Sequence, residues 1–325
     1  MKFFNTAGPV NPADHYCLDP LARINLPELE TLIGQKKYFI LHAPRQTGKT
    51  SSLLALMEHL NRSGRYRALY ANVEVGQSAR EDVQEGMRAI LSSMASWSRT
   101  ALGDGFLEAT WPEVLAQAGG HDALKEVLVR WCRQEARPVV LFLDEIDALV
   151  GDTLIAVLRQ LRAGYTQRPA AFPQSVILCG VRDVRDYRIH SDREKAIITG
   201  GSAFNIKAKA LVLGNFTREE VAMLYQQHTE ATGQAFTEEA KVRAWELTAG
   251  QPWLVNALAY EACFEMPAGR DRGVPVTAEM LEAAKENLIS RRETHLDQLA
   301  DKLREERVRR VVEPILAGSL VPDSV

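Results

Sequence analysis

Short, unbroken apolar runs alternate with amphipathic stretches along residues 38–180. The apolar runs predict strands at residues 38–43, 67–73, 138–143 and 175–180. The stretches around them repeat with helical periodicity and predict helices at residues 49–61, 78–97, 122–134 and 153–163. Because apolar strands separated by helices are typical of α/β layers, the pattern predicts a parallel sheet flanked by helices. Right-handed crossovers would bring the carboxyl ends of the strands to one edge, where ligands bind.

Beyond Gly214 the strand signals end and helix caps replace them. Thr217 and Glu220 have the spacing of a capping box, and Thr237 and Thr277 each precede a further amphipathic stretch. This part of the chain is therefore predicted to be an all-helical domain.

The N-terminal residues follow neither pattern. Two prolines within residues 8–12 argue against helix, whereas Asn25 is expected to cap a helix at residues 26–33. The sequence thus predicts four parts: an N-terminal segment and helix at 1–34, an α/β domain at 35–214, a helical domain at 215–290 and a short C-terminal segment at 291–325.

The charge, cysteine content and apolar stretches of the chain exclude several classes of protein. The chain has 325 residues and a net charge of −3, so nucleic-acid binding would need a local basic patch. Its four cysteines form no CxxC pair, which indicates core thiols in a reducing compartment, not a disulfide framework or a zinc site. No apolar stretch reaches membrane-spanning length and no signal peptide is evident, so we expect a cytoplasmic protein with no membrane partner.

The turn after the first predicted strand carries the strongest chemical signal. It reads APRQTGKT and opens an amphipathic helix, which is the layout of a phosphate-binding loop. Backbone N–H groups and the positive end of the helix would face a polyphosphate, Lys49 would reach its β- and γ-phosphates, and the Thr50 hydroxyl would sit on Mg²⁺. The residues expected to bind are Ala43, Pro44, Arg45, Gln46, Thr47, Gly48, Lys49, Thr50 and Ser51.

Ala43 departs from the loop pattern, which begins with glycine. Alanine costs little there if its φ is negative. The alternative is an ordinary strand, turn and helix in which Gly-Lys-Thr occurs by chance.

Two carboxylates follow the apolar run at residues 138–143. Asp144 could hold a metal ion through water, and Glu145 could polarise a water for attack as a general base. Asp147 is expected to be a surface cap for the next helix. The alternative is a strand end with solvated acids.

Two further features lie at predicted element ends. Arg182 follows the strand at 175–180 and could sense a γ-phosphate by bidentate contact, or it could neutralise the acidic residues of its own loop. Gly250-Gln251-Pro252 places proline at the first position of a helix, which is good capping chemistry by itself.

Together these motifs resemble the AAA-like P-loop ATPases, and most of all the STAND and archaeal-type ATPase branch. There the loop often reads PRQ-x-GKT, a strand ends in Asp-Glu, and Gly-x-Pro lies in a helical lid. The resemblance implies a P-loop sheet, a helical lid with Pro252 near the phosphates, and a winged-helix-like C-terminus that is short here. It also implies that Pro9, Val10 and Tyr16 lie near the adenine.

The resemblance implies slow, Mg²⁺-dependent ATP hydrolysis that drives a conformational switch or small motor in signalling or assembly control. ATP and Mg²⁺ are the expected cofactors, and a homo-oligomer or a partner protein is left open. One alternative is an ATP-regulated DNA-binding module related to origin-recognition or transposition ATPases, supported by arginines near the C-terminus. The other, a small-molecule kinase, fits the Asp144-Glu145 pair and the large helical domain poorly.

Overall fold

The computed structural model describes residues 1–184, 187–191, 194 and 196–291. The chain divides into two compact units. One is the α/β unit, Asp19–Asn215, and the other is the helical unit, which joins Met1–Leu18 to the chain from Phe216 onward. The predicted C-terminal segment falls outside the described residues from position 292.

The elements are numbered in chain order. The strands are β1 Phe3–Phe4, β2 His15–Tyr16, β3 Tyr38–His42, β4 Arg67–Asn72, β5 Val139–Asp144, β6 Ser175–Gly180, β7 Arg188–Ser191, β8 Ala196–Thr199 and β9 Lys207–Val212. The helices are α1 Leu26–Gly34, α2 Lys49–Arg62, α3 Val83–Leu102, α4 Phe106–Ala118, α5 Ala123–Gln134, α6 Gly151–Gly164, α7 Gly200–Ala203, α8 Arg218–Thr232, α9 Glu238–Thr248, α10 Pro252–Tyr260, α11 Pro267–Arg270 and α12 Ala278–Ser290.

Five strands of the α/β unit form one parallel sheet in the order β4-β5-β6-β3-β9. Every residue of β5 and β6 is buried. Alternate strand residues face two separate cores: Ile40 and Leu141 pack in the core that contains α3, α5 and α6, whereas Phe39 and Phe142 share the other with α2. Helices on both faces explain the unbroken apolar runs, and the predicted α/β fold is confirmed.

The fifth strand, β9, is missed by the sequence pattern because lysines interrupt its apolar residues. It lies at the edge of the sheet and pairs only with β3 among the described strands. Lys207 forms an ion pair with Asp183, and Lys209 with Glu28. Charged residues are common on edge strands, which have one unpaired side, so β9 does not need a continuous apolar run.

Some helices of the α/β unit also differ from the predictions. α4 is not predicted, and Pro112 in its interior argues against helix. It forms because Leu107, Val114 and Leu115 are buried in the core on the α3 side of the sheet. α3 begins at Val83, after the cap Asp82, instead of at residue 78, because a 3₁₀ turn precedes it.

The helix caps predicted for the helical unit are found there. Thr217 and Glu220 form a capping box, and Thr237 and Thr277 accept hydrogen bonds from the first turns of α9 and α12. The side chains of Phe4 and Tyr16, on β1 and β2, are fully buried in its core. The predicted N-terminal part, 1–34, is therefore shared between the units, because aromatic burial holds its first 18 residues in the helical unit.

We expect Gly250→Ala to destabilise the helical unit by about 2–5 kcal/mol, the sum of a left-handed backbone cost and a steric one. Gly250 has a φ of +70°, and a Cβ there would lie 2.0 Å from the carbonyl oxygen of Phe216. Urea unfolding of wild type and variant measures the loss.

Gly233→Ala is the matched control for this prediction. Gly233 has a φ of +79°, and a Cβ at this residue would meet nothing within 4 Å, so alanine should cost only about 1–2 kcal/mol of backbone strain. Equal losses in the two variants would contradict a close backbone approach at Gly250.

Candidate nucleotide and metal site

The predicted phosphate loop connects the central strand β3 to α2. Gly48 caps α2 with a φ of +86°, a conformation that glycine adopts without steric cost, and Gln46 is also left-handed. Ala43 is buried and has no positive φ, so the missing first glycine places no strain on the loop. Thr47 is buried and donates its hydroxyl to the Pro44 carbonyl at 2.9 Å, whereas the side chains between them are exposed.

Lys49 is folded back over the loop. Its Nζ donates to the carbonyl oxygens of Ala43 at 3.1 Å and Pro44 at 3.0 Å, and the residue is only 4% exposed. An ammonium group has three donors, so these two bonds leave one for an incoming anion. The loop thus holds a buried positive charge at the carboxyl edge of the sheet.

Thr50 and Asp144 meet at this edge although they are 94 positions apart in sequence. The Thr50 hydroxyl donates to Asp144 Oδ2 at 2.7 Å, and Asp144 is fully buried. Because the hydroxyl proton points at the carboxylate, the lone pairs of Thr50 Oγ1 remain available to a cation. Hard oxygen donors of this kind fit Mg²⁺, which proteins usually hold with one or two side chains plus substrate phosphates.

No group of three or more potential metal ligands occurs among the residues described here.

Glu145 directly follows Asp144 with a left-handed backbone, φ +56°. Left-handed non-glycine residues are uncommon and cluster at functional sites. Burial first, and then the charge of Asp144, raise the pKa of Glu145, while Lys49 opposes the shift. A half-buried carboxylate with a raised pKa close to a lysine is a suitable proton acceptor for a bound water.

Asp147 differs from its prediction as a surface cap. It is partly buried, and its Oδ1 accepts a hydrogen bond from the backbone N–H of Val181 at 3.0 Å. It therefore ties the turn after β5 to the loop after β6, because these adjacent strands bring the two turns together.

Arg182 begins that loop at the same edge. The β6 end is joined to the phosphate loop by the Ala43 N–H, which donates to the Gly180 carbonyl at 3.2 Å. The Arg182 side chain is exposed, and its role as a γ-phosphate sensor stays a prediction. Arg185, in the same loop, lies outside the described residues.

The remaining predicted contacts belong to the helical unit. Pro252 is the first residue of α10, whose cap, Gln251, accepts a hydrogen bond from the Leu254 N–H at 2.6 Å. Pro9 is exposed and Val10 partly buried. Their proposed nucleotide contacts stay predictions, as does that of Ser51 in the first turn of α2.

Two residues at the site are missed by sequence reasoning. Arg23 donates to the Thr47 carbonyl at 2.6 Å and to the Gly214 carbonyl at 2.5 Å, so it links the phosphate loop to the chain beyond β9. Tyr70, on β4, donates to Asp144 Oδ2 at 3.0 Å. Neither belongs to a motif, although the period-two pattern of β4 does assign Tyr70 to one face of the strand.

Comparison with known proteins agrees with this geometry. Residues 26–172 match the family model described as AAA ATPase domain. No curated protein matches the chain. Among the described residues, no helix has the length and apolar character needed to cross a membrane.

Two solved structures share the fold at low sequence identity. The Walker-type ATPase PABY2304 of Pyrococcus abyssi is 15% identical, with 97% of this chain and 83% of that chain covered and a TM-score of 0.61. Cdc6p of Pyrobaculum aerophilum is 16% identical, with coverages of 81% and 65% and a TM-score of 0.52. The match at residues 26–172 confirms the resemblance to AAA-like P-loop ATPases and the prediction of an ATPase, and the solved structures show the shared fold, whereas the STAND branch stays a prediction.

Proposed function

We propose that the protein binds Mg·ATP at the phosphate loop and uses its hydrolysis as a conformational switch. The observation that carries this proposal is the hydrogen bond of 2.7 Å between Thr50 and Asp144 beside the buried Lys49. A hydroxyl, a carboxylate and an ammonium group at one sheet edge are the parts that Mg²⁺-dependent phosphoryl transfer requires.

Each side chain would have its own role in nucleotide binding or hydrolysis. Lys49 and the N-terminal N–H groups of α2 would bind the β- and γ-phosphates. Thr50 and Asp144 would hold Mg²⁺, which offsets phosphate charge when bound. Glu145 would orient a water for attack on the γ-phosphate and accept its proton. Arg182 would contact the γ-phosphate from the neighbouring loop.

The connectivity of the units supports a switch. The chain passes from one unit to the other twice, at residues 18–19 and at residues 215–216. Arg23 joins the Thr47 carbonyl of the phosphate loop to Gly214, next to the second connection. A change in the loop on hydrolysis would therefore reach this connection through one side chain, which is a short route for coupling nucleotide state to domain motion.

The other readings have less support. DNA binding depends on arginines beyond residue 291, outside the described residues, and none of the described features favours it. Assignment to the STAND branch, the partner and the cytoplasmic location stay predictions.

The test combines three measurements on the full chain. Calorimetry should detect Mg·ATP binding, phosphate release should show slow hydrolysis, and hydrogen exchange at the two connections should differ between an ATP analogue and ADP. Absence of binding would refute the proposed site. Hydrolysis with identical exchange in both nucleotide states would leave an ATPase but refute the switch.

A further inference from the structure

The carboxylate of Asp144, the proposed Mg²⁺ ligand, accepts hydrogen bonds from other groups as well as from Thr50. Asp144 Oδ2 accepts hydrogen bonds from the Thr50 and Tyr70 hydroxyls, at 2.7 and 3.0 Å, and Oδ1 accepts one from the Glu145 N–H at 2.9 Å. We propose that Tyr70 is a positioning residue that orients Asp144 for Mg²⁺, an inference that rests on the proposed function.

The sheet register brings these two side chains together. β4 and β5 are parallel neighbours in which Tyr70 pairs with Phe142 and Asn72 with Asp144. Residues two apart in a strand point to the same face, so Tyr70 lies diagonally from Asp144 on the face that packs against α2. The Trp97 ring packs edge-on against Tyr70, with centroids 4.7 Å apart, and restricts the phenol ring to this direction.

Burying the Tyr70 hydroxyl costs free energy unless the group has a hydrogen-bond partner. Tyr70 is 2% exposed in an otherwise apolar core, and a buried hydroxyl without a partner is unfavourable. Phenylalanine would fill the same space without that penalty. The partner of the hydroxyl is the carboxylate of Asp144, so the polar atom at position 70 acts on the predicted metal group.

Two donors on Oδ2 constrain the carboxylate more than one does. Thr50 on Oδ2 and the Glu145 N–H on Oδ1 hold Asp144 by one bond at each oxygen. The Tyr70 hydroxyl adds a second donor on Oδ2 from the neighbouring strand, so the carboxylate has less freedom to rotate and is already oriented when the cation arrives. Partners that orient metal ligands in this way typically contribute 10- to 100-fold to metal affinity.

The test measures how much Mg²⁺ strengthens nucleotide binding. The affinity for a non-hydrolysable ATP analogue is determined by calorimetry with Mg²⁺ and with EDTA, and the two dissociation constants give a ratio. Tyr70→Phe should reduce this ratio about 10-fold, the lower end for a residue that acts through a ligand, and leave the affinity in EDTA unchanged. This readout does not depend on hydrolysis.

Tyr38→Phe is the matched control. Tyr38 is a buried tyrosine on β3 of the same sheet, and its hydroxyl donates to the Pro173 carbonyl at 3.0 Å. The Tyr38→Phe variant also loses one buried hydroxyl hydrogen bond, but nothing changes at Asp144. Its ratio of dissociation constants with Mg²⁺ and with EDTA should therefore equal that of wild type. Both changes remove one oxygen without opening a cavity, and thermal unfolding checks that each variant folds.

The outcomes separate the inference from the proposed function. A ratio for Tyr70→Phe equal to that of wild type would refute the role of Tyr70 while ATP binding stands. The same fall in both variants would also refute it, because the cause would be general loosening of the sheet. No nucleotide binding by wild type would overturn both. In an Asp144→Ala background, Tyr70→Phe should cause no further loss.

Discussion

Glu145→Gln is expected to lower the rate of ATP hydrolysis by about 100- to 10,000-fold, the usual contribution of general acid–base catalysis. Glutamine keeps the size and hydrogen-bonding reach of the side chain but cannot accept a proton from water. Mg·ATP binding should be retained, because neither the phosphate loop nor the Thr50–Asp144 pair is altered. Single-turnover phosphate release and calorimetry measure the two quantities separately.

Glu74→Gln is the control for this change. Glu74 is exposed and lies close enough for its charge to raise the pKa of Glu145. Neutralising it removes one negative charge near the site without touching the proposed base, so hydrolysis should change little. If both variants lost the same activity, the loss would come from the electrostatic field and Glu145 would not be the base.

Lys49→Ala is expected to weaken Mg·ATP binding by about 10- to 100-fold, because a hydrogen bond to a charged group contributes roughly 1.5–3 kcal/mol. Alanine also removes the two bonds that the Lys49 ammonium donates to the Ala43 and Pro44 carbonyls. Hydrolysis should fall at least in proportion. Calorimetric titration with a non-hydrolysable analogue measures the affinity.

Lys37→Ala serves as the comparison. Lys37 is exposed just before β3, at the opposite end of the strand from the loop. It carries the same charge but lies away from the proposed phosphates, so its removal should leave the affinity near that of wild type. If the affinity of Lys49→Ala for Mg·ATP were unchanged, the loop would not be the nucleotide-binding site.

The two variants together test a division of roles. Loss of binding in Lys49→Ala with loss of turnover alone in Glu145→Gln would fit a phosphate ligand and a base. Loss of binding in both would mean that Glu145 helps to hold the nucleotide.

Much of the fold could be predicted because its strands are continuous apolar runs. β3, β5 and β6 are buried on both faces, so their composition alone separates them from the amphipathic helices around them. The caps Asn25, Thr217, Thr237 and Thr277 also act locally and could be recognised. Elements with no fully buried residues, such as β9, or with unfavourable local residues, such as α4, could not.

The candidate site, like the fold, has features that could be predicted from the sequence and features that could not. The phosphate loop could be recognised from its residues alone, because Gly48, Lys49 and Thr50 belong to a turn and a helix start that are local in the chain. The sequence also predicts that Asp144 and Glu145 follow a buried strand. Local patterns do not specify strand order, so the sequence could not say which side chains would surround these groups.

Those contacts depend on how the strands assemble in the folded sheet. The sheet order places the β6 end against the phosphate loop, where the Ala43 N–H meets the Gly180 carbonyl. The parallel register of β4 and β5 brings Tyr70 to Asp144. The physical reason is that these bonds join residues far apart in sequence, and their energy is gained only when the whole sheet has formed.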